Sequence, residues 1–223
     1  MSRKPNDLIL SVLVIMTLFL PASIFGAGVS TLVFEFADDD SLVTLTDASG
    51  QKVRTIEGAV LTAGSRIATG ATTAEFRLVP NGSLLKLARN TVFEVRALGE
   101  GAEPNAFALA VGRLRMVAAK VAGVTSAYQL TTPTAQAGVR GTDFALEANN
   151  QTGDWICVKE GAVEFSPQGN PGAAIVVRAG EFANVKMAVF APKKATAEDL
   201  ADKFEGLDFV RAKEAEVPGH EGS

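Results

Sequence analysis

Between about Ser30 and Met187, apolar and polar residues alternate in short runs, and glycine, asparagine or proline breaks the alternation at intervals of roughly 8–12 residues. A period of two sends successive side chains to opposite faces of a strand, so this region is predicted to be all-β. TLVFEF sets Leu32, Phe34 and Phe36 on one face, and LVTLT supplies Val43 and Leu45 to the set opposite. AEFRLV points Phe76 and Leu78 inward and Glu75 and Arg77 outward. Asn81-Gly82, between two alternating runs, signals a tight hairpin, and Leu85, Leu87, Phe93 and Val95 extend the inward set. The polar stretch GEGAEPN (99–105) separates these strands from a second group: FALAV, RLRMVA, AYQLTT, TDFALEA, WICVKE, AVEFS, AIVVRA and EFANVKM.

The pattern changes at both ends. Past Pro192 the chain turns to lysine, alanine and acidic residues; Thr196 and Asp199 form an N-capping pair, and Leu200, Phe204 and Leu207 recur at helical spacing. A C-terminal helix is expected within 191–213, packed on an open end or edge of the β domain, with docking on a partner as the other reading, and residues 214–223 are expected to be a disordered tail. At the N-terminus, Arg3 and Lys4 precede an apolar run from Leu8 to Leu20 and the small residues Gly26-Ala27-Gly28. A bilayer span needs about 20 apolar residues, so residues 1–27 read as a cleavable signal peptide, with a retained membrane anchor as the alternative. The β domain then runs from 28 to 190.

One stretch carries more information than periodicity. In TTPTAQAGVRGTDFAL, Thr131 to Leu146, the Thr132-Pro133 step is forced to be extended or turning. Gly138 and Gly141 flank Val139-Arg140 and permit a sharp corner, and after Thr142 the alternation resumes with Phe144 and Leu146. This VRGT core, with its upstream TP step, resembles the FecR domain, a β-rich extracytoplasmic module. Further elements occur in the family's order: GAVLTAGSRIATG (58–70), AEFRLVPNGSLLKLARNTVFEV (74–95), VGRLRM (111–116), VKEGAVEF (158–165) and VRAGEFANV (177–185). The resemblance covers roughly residues 55–187.

Periodicity leaves a β-sandwich and a stacked solenoid both open. The resemblance implies a twisted, solenoid-like stack of short strands, and that is the expected fold, with the sandwich as alternative. Regulatory FecR proteins also carry a cytoplasmic segment acting on a sigma factor and a C-terminal receiver region. Only seven residues precede the apolar run here, so what the resemblance implies is the domain and its extracytoplasmic setting, not the anti-sigma role.

Composition narrows the chemistry. The chain has 21 basic and 25 acidic residues; without 1–27 these become 19 and 24, a net of −5, which offers nucleic acid no attraction. The only histidine is His220 in the polar tail, so histidine-dependent triads find no support. Cys157, the only cysteine, lies in a strand on the side of Trp155 and Lys159 and reads as structural. Asp38, Asp39 and Asp40, with Asp47, offer oxygen ligands but match no calcium loop, and they read as solvated turns. Glu94, Glu147, Glu160 and Glu164 are dispersed carboxylates without a distinguishing setting, though paired carboxylates keep a carbohydrate-active enzyme as an alternative. No catalytic residue, metal or cofactor is therefore assigned. The motif residues Thr132, Pro133, Val139, Arg140, Gly141 and Thr142 are candidates for either a structural corner or a binding site, with Arg140 bracing it through Asp143 as the structural version. The expectation is a non-catalytic exported binding or scaffolding module at the cell envelope whose partner is an envelope protein or glycan. The second reading is an anchored signalling component, in contact with a membrane only if the N-terminal helix is retained.

Overall fold

The computed structural model describes residues 30–99, 103–120 and 127–210. The expected signal peptide, the tail and His220 lie outside the described residues. The described part forms β1 (Thr31–Ala37), β2 (Val43–Thr46), β3 (Lys52–Val53), β4 (Val60–Leu61), β5 (Arg66–Thr69), β6 (Ala74–Val79), β7 (Leu84–Leu87) and β8 (Val92–Ala97). The long strand β9 (Asn105–Val117) follows, then β10 (Tyr128–Thr131), β11 (Ala135–Val139), β12 (Asp143–Ala148), β13 (Trp155–Glu160), β14 (Ala162–Pro167), β15 (Ile175–Arg178), β16 (Glu181–Asn184) and β17 (Lys193–Lys194). One helix, α1 (Ala197–Phe204), closes the series.

The strands make two sheets. The first runs β4-β1-β6-β7-β9-β12-β13-β16-β17, antiparallel throughout. The second runs β3-β2-β5-β8-β9-β10-β11-β14-β15, with β9 and β10 its parallel pair. Hairpin by hairpin the chain passes from one sheet to the other while advancing along both. The solenoid-like progression and the two-sheet layering, expected as alternatives, therefore occur together.

Strand β9 joins the layers. FALAV and RLRMVA, read from the sequence as two runs, form one strand: its first half pairs with β8 and β10 in the second sheet, its second half with β7 and β12 in the first. The change happens at Gly112, where φ is +98° and a Cβ would lie 2.4 Å from Thr91 Oγ1. Only glycine gives both the backbone angle and the clearance.

A single core lies between the sheets. It takes Leu32, Phe34, Phe76, Leu85, Leu114, Phe144 and Ile156 from the first and Val43, Leu45, Ile67, Phe93, Tyr128, Val139 and Phe165 from the second. The inward sets predicted by alternation are in it, with one exception. Phe36 is only half-buried, because the β1–β6 register shifts between Phe34 and Phe36, and the phase change buries Ala37 instead.

Candidate functional site

The VRGT segment is a crossover between layers. Val139 ends β11 in the second sheet, buried between Tyr128 and Val163, and Asp143 opens β12 in the first. Arg140, Gly141 and Thr142 make the passage. Gly141 has φ +62° beneath the Lys120 side chain, and the Thr142 carbonyl accepts from Ala118 N (2.8 Å). The Thr142 hydroxyl is buried with no hydrogen-bond partner among the described residues. Arg140 is exposed, and no hydrogen bond or ion pair holds its guanidinium among the described residues. The acid expected to brace it, Asp143, is bound instead by Arg115, whose Nε and Nη2 donate to Asp143 Oδ1 and Oδ2 at 2.9 and 2.8 Å. A planar guanidinium one strand away on the same face meets both carboxylate oxygens at once, which explains why it captures the acid.

Thr132 and Pro133 form the β10–β11 hairpin turn, and here an unforeseen residue does the holding. Asp154, fully buried, accepts from Thr132 Oγ1 (2.5 Å), Thr134 N (3.0 Å) and Thr134 Oγ1 (2.6 Å) through Oδ2, and from Asn149 N (2.8 Å) through Oδ1. One carboxylate thus clasps a turn of the second sheet to the β12–β13 hairpin of the first. Pro133 itself is exposed. In sequence, Asp154 follows the turn-like Asn149–Gly153 and gives no sign of burial.

The outer face of the first sheet is the most heavily worked surface of the described residues. Register aligns one outward residue from each of six strands: Glu75 on β6, Lys86 on β7, Arg115 on β9, Ala145 on β12, Cys157 on β13 and Phe182 on β16. Its first half is ionic and its second half apolar. Residues 197–210, a strap made of α1, the turn at 205–206 and the short irregular piece after it, lie over this row. Phe204 and Leu207 join Ala145, Trp155 and Cys157 in a second buried cluster, with Leu200 and Phe182 at its margin. The expected capping pair is present: Asp199 N donates to Thr196 Oγ1 (3.1 Å) and Thr196 N to Asp199 Oδ2 (2.8 Å). The helix ends at Phe204, and it covers a face rather than an open end or edge, because its apolar side finds Trp155 and Cys157 there.

The ionic half of the row binds the strap through its main chain. Lys86 Nζ donates to Glu75 Oε1 (2.9 Å) and to Asp208 O (2.6 Å), and Glu75 Oε1 also accepts from Val210 N (2.7 Å). Arg113 donates to Asp202 O and Glu205 O, each at 3.0 Å. Arg115 reaches Leu207 O (3.3 Å) and Asp208 Oδ1 (3.2 Å), and its guanidinium lies 5.4 and 5.3 Å from the Phe204 and Phe209 ring centres. Burial works against the Arg115 charge, yet the bonds and charge of Asp143, aided by Asp208, outweigh it and raise its pKa. Lys203 crosses back to sit 4.6 Å from the Trp155 ring centre.

The remaining candidates have structural duties. Burial pushes the Cys157 thiol up to about 11, against an opposing pull from Lys203, so it is protonated at neutral pH and a poor nucleophile. Asp38 Oδ2 accepts from Thr73 Oγ1, Asp39 caps the short turn at Ser41, and Asp47 holds the Ser49–Gln51 turn, whose bonds, that from Ser49 first, lower its pKa. Glu94 and Glu164 belong to the second sheet, whereas Glu147 and Glu160 stand at opposite ends of the β12–β13 hairpin. Glu94 pairs with Arg66 and Arg96, and Glu147 accepts from Asn149.

Comparison with known proteins agrees with this architecture. Residues 65–164, from the turn before β5 into β14, match the FecR protein family. The chain carries a FecR domain. The match contains the VRGT crossover, Asp154 and most of the six-strand row, and is narrower than the 55–187 expected from motifs. Two crystal structures of a protein assigned as an anti-sigma factor from Parabacteroides distasonis ATCC 8503 share the fold, at 1.65 and 2.50 Å resolution. Their TM-scores are 0.51 and 0.52 at 16% identity over 63% of this chain, and the alignment spans 65% and 64% of their own length, less than two thirds. No curated protein matches.

Proposed function

We propose that this FecR-domain protein is a non-catalytic, exported binding and scaffolding module of the cell envelope, serving extracytoplasmic signal transduction. The observation that carries the reading is the use of charge at the candidate site. Glu75, Lys86, Arg113, Arg115 and Asp143, the groups that could bind or transfer protons, are engaged with one another or with a length of polypeptide. Such an arrangement recognises main chain, and recognition of a peptide-like segment is a scaffold's task rather than an enzyme's. The FecR domain, and its likeness in fold to a protein assigned as an anti-sigma factor, favour a signalling use of that module.

Export is tested by fractionating the host and determining the N-terminus by mass spectrometry. A start near Ala27 or Gly28 in a periplasmic or envelope fraction supports the exported module. Retention of Met1 in a membrane fraction favours the anchored signalling component, and a cytoplasmic location contradicts both. Turnover of cell-wall glycans that disappears on Glu147→Gln or Glu160→Gln would replace the scaffold reading with the carbohydrate-active one.

A further inference from the structure

The strap is bound as a ligand is bound. Five of its main-chain groups, the carbonyls of Asp202, Glu205, Leu207 and Asp208 and the amide of Val210, meet side chains of the sheet. Only three strap residues, Phe204, Leu207 and Phe209, are buried, and none of them belongs to the core between the sheets. Removing the strap would leave that core and every ladder of the first sheet intact. Lys86 would keep Glu75, and Arg115 would keep Asp143. The fit is also open: a cavity of about 830 Å3 lies against the strap between Arg89, Arg113, Glu205 and Asp208, and another of about 440 Å3 meets Lys159, Leu200 and Phe204. The strap carries Glu198, Asp199, Asp202, Glu205 and Asp208 against the single cation Lys203, and the cations it meets are local. On the sheet side Lys86 and Arg115 are already paired with Glu75 and Asp143, and Asp38 and Glu147 share the larger cavity, which leaves Arg89, Arg113 and Lys159 to favour an acidic occupant.

We infer that the outer face of the first sheet is a peptide-docking groove which the chain's own strap keeps closed, and which opens to an acidic segment of another protein. The occupant it fits is an acidic helix that turns at a glycine into a short irregular piece, with an aromatic residue, an aliphatic one three positions on, then an acid and a second aromatic, as Phe204, Leu207, Asp208 and Phe209 stand in the strap. Main-chain recognition by Arg113, Arg115, Lys86 and Glu75 fixes the path. The apolar end at Trp155, Cys157 and Phe182 selects the aromatic, and Arg115 selects the acid. Local opening supplies the access, because a segment held by a small satellite cluster and a handful of hydrogen bonds, outside the core between the sheets, opens below the free energy of global unfolding. This deepens the scaffold reading by naming the face it uses, and it stands on geometry independently of where the protein resides.

The test uses the full chain and a labelled peptide of residues 195–210, followed by fluorescence anisotropy. The double variant Leu207→Ser/Phe209→Ser weakens the strap without touching the groove, and it is expected to bind the peptide at least about tenfold more tightly than the wild type, since its competent fraction is larger. Adding Arg113→Ala is expected to remove most of that gain. If the double variant loses its near-ultraviolet signal, Thr196→Ala, which undoes the cap and leaves every groove contact in place, is expected to bind at least about twofold more tightly than the wild type. A folded variant that binds no better than the wild type overturns the proposal. So does a wild-type chain that elutes as a strap-exchanged dimer, because the occupant would then be a second copy. Neither result depends on export, so failure here and failure of the envelope location are separate outcomes.

Discussion

On the outer face of the first sheet, register aligns Glu75, Lys86, Arg115, Ala145, Cys157 and Phe182; on the outer face of the second, β10, β11, β14 and β15 align Gln129, Gly138, Glu164 and Val176. Both rows stand on antiparallel ladders and share the core beneath. The second row is uncharged but for Glu164 and largely open to water, as one face of an antiparallel sheet can be. The first combines three charged groups with three apolar ones, and its members from Glu75 to Cys157 are buried. Charged side chains in that position must be paired and covered together, so the face requires a lid of complementary chemistry. Function is therefore sought on the covered face, where removing one partner strands another.

The largest effect expected from breaking this contrast is at Lys86. Lys86→Ala takes the ammonium away from the buried Glu75 carboxylate and should cost about 3–5 kcal/mol in urea unfolding, whereas Lys86→Met with Glu75→Leu, which removes both charges and gives up the bonds to Asp208 O and Val210 N, should cost clearly less than the single variant. Thr44→Ala, on the exposed face of β2 in the second sheet, should stay within about 0.5 kcal/mol. Equal costs at Lys86 and Thr44 would erase the difference between the two faces.

Next comes the clasp between the layers. Asp154→Ala deprives Thr132, Thr134 and Asn149 of their acceptor and should cost about 3 kcal/mol, with the denaturant midpoint falling at an unchanged slope.

A smaller effect belongs to the strap's own start. Thr196→Ala should cost about 1 kcal/mol of strap stability. The bonds from Thr196 N and Oγ1 hold the Asp199 carboxyl below its ordinary value of 3.8. A folded-state pKa below the unfolded one gives stability that is present above 3.8 and disappears as pH falls through the lower folded value. Helix α1 should therefore fray first in acid, and Thr196→Ala, which removes the hydroxyl bond but keeps the larger contribution of the main-chain N–H, should reduce that pH dependence of amide exchange in residues 197–204. The smallest effect is at Arg140: with no described partner, Arg140→Ala should change stability by less than about 0.5 kcal/mol. A large loss would restore the brace expected from the motif.

Much of the β architecture could be read from alternation, because a period of two survives wherever one face meets a shared core: Leu32, Phe34, Val43, Leu45, Phe76, Leu78, Leu85, Leu87, Phe93 and Val95 are all inside. Phe36 escaped because a bulge changes phase without changing composition, and β9 was divided because Gly112 has the composition of a turn and the role of a bend between sheets. The site was less accessible. Glu75, Lys86 and Arg115 look like ordinary solvent-facing positions, since burial from outside comes from residues far along the chain: the separation is 93 from Arg115 to Asp208, 122 from Lys86 to Asp208 and 135 from Glu75 to Val210. The Thr196–Asp199 cap and the Leu200, Phe204, Leu207 spacing did announce the covering element, but not the face it would choose.

Native-state hydrogen exchange tests the central claim, that a strap closes a functional face and opens separately from the fold. The amides of Leu200, Leu207 and Val210, bonded to Thr196 O, Phe204 O and Glu75 Oε1, are predicted to exchange at least about tenfold faster than those of β12 and β13 beneath them, through an opening insensitive to low urea. Exchange of strap and sheet amides at one rate, through a single global event, would contradict it.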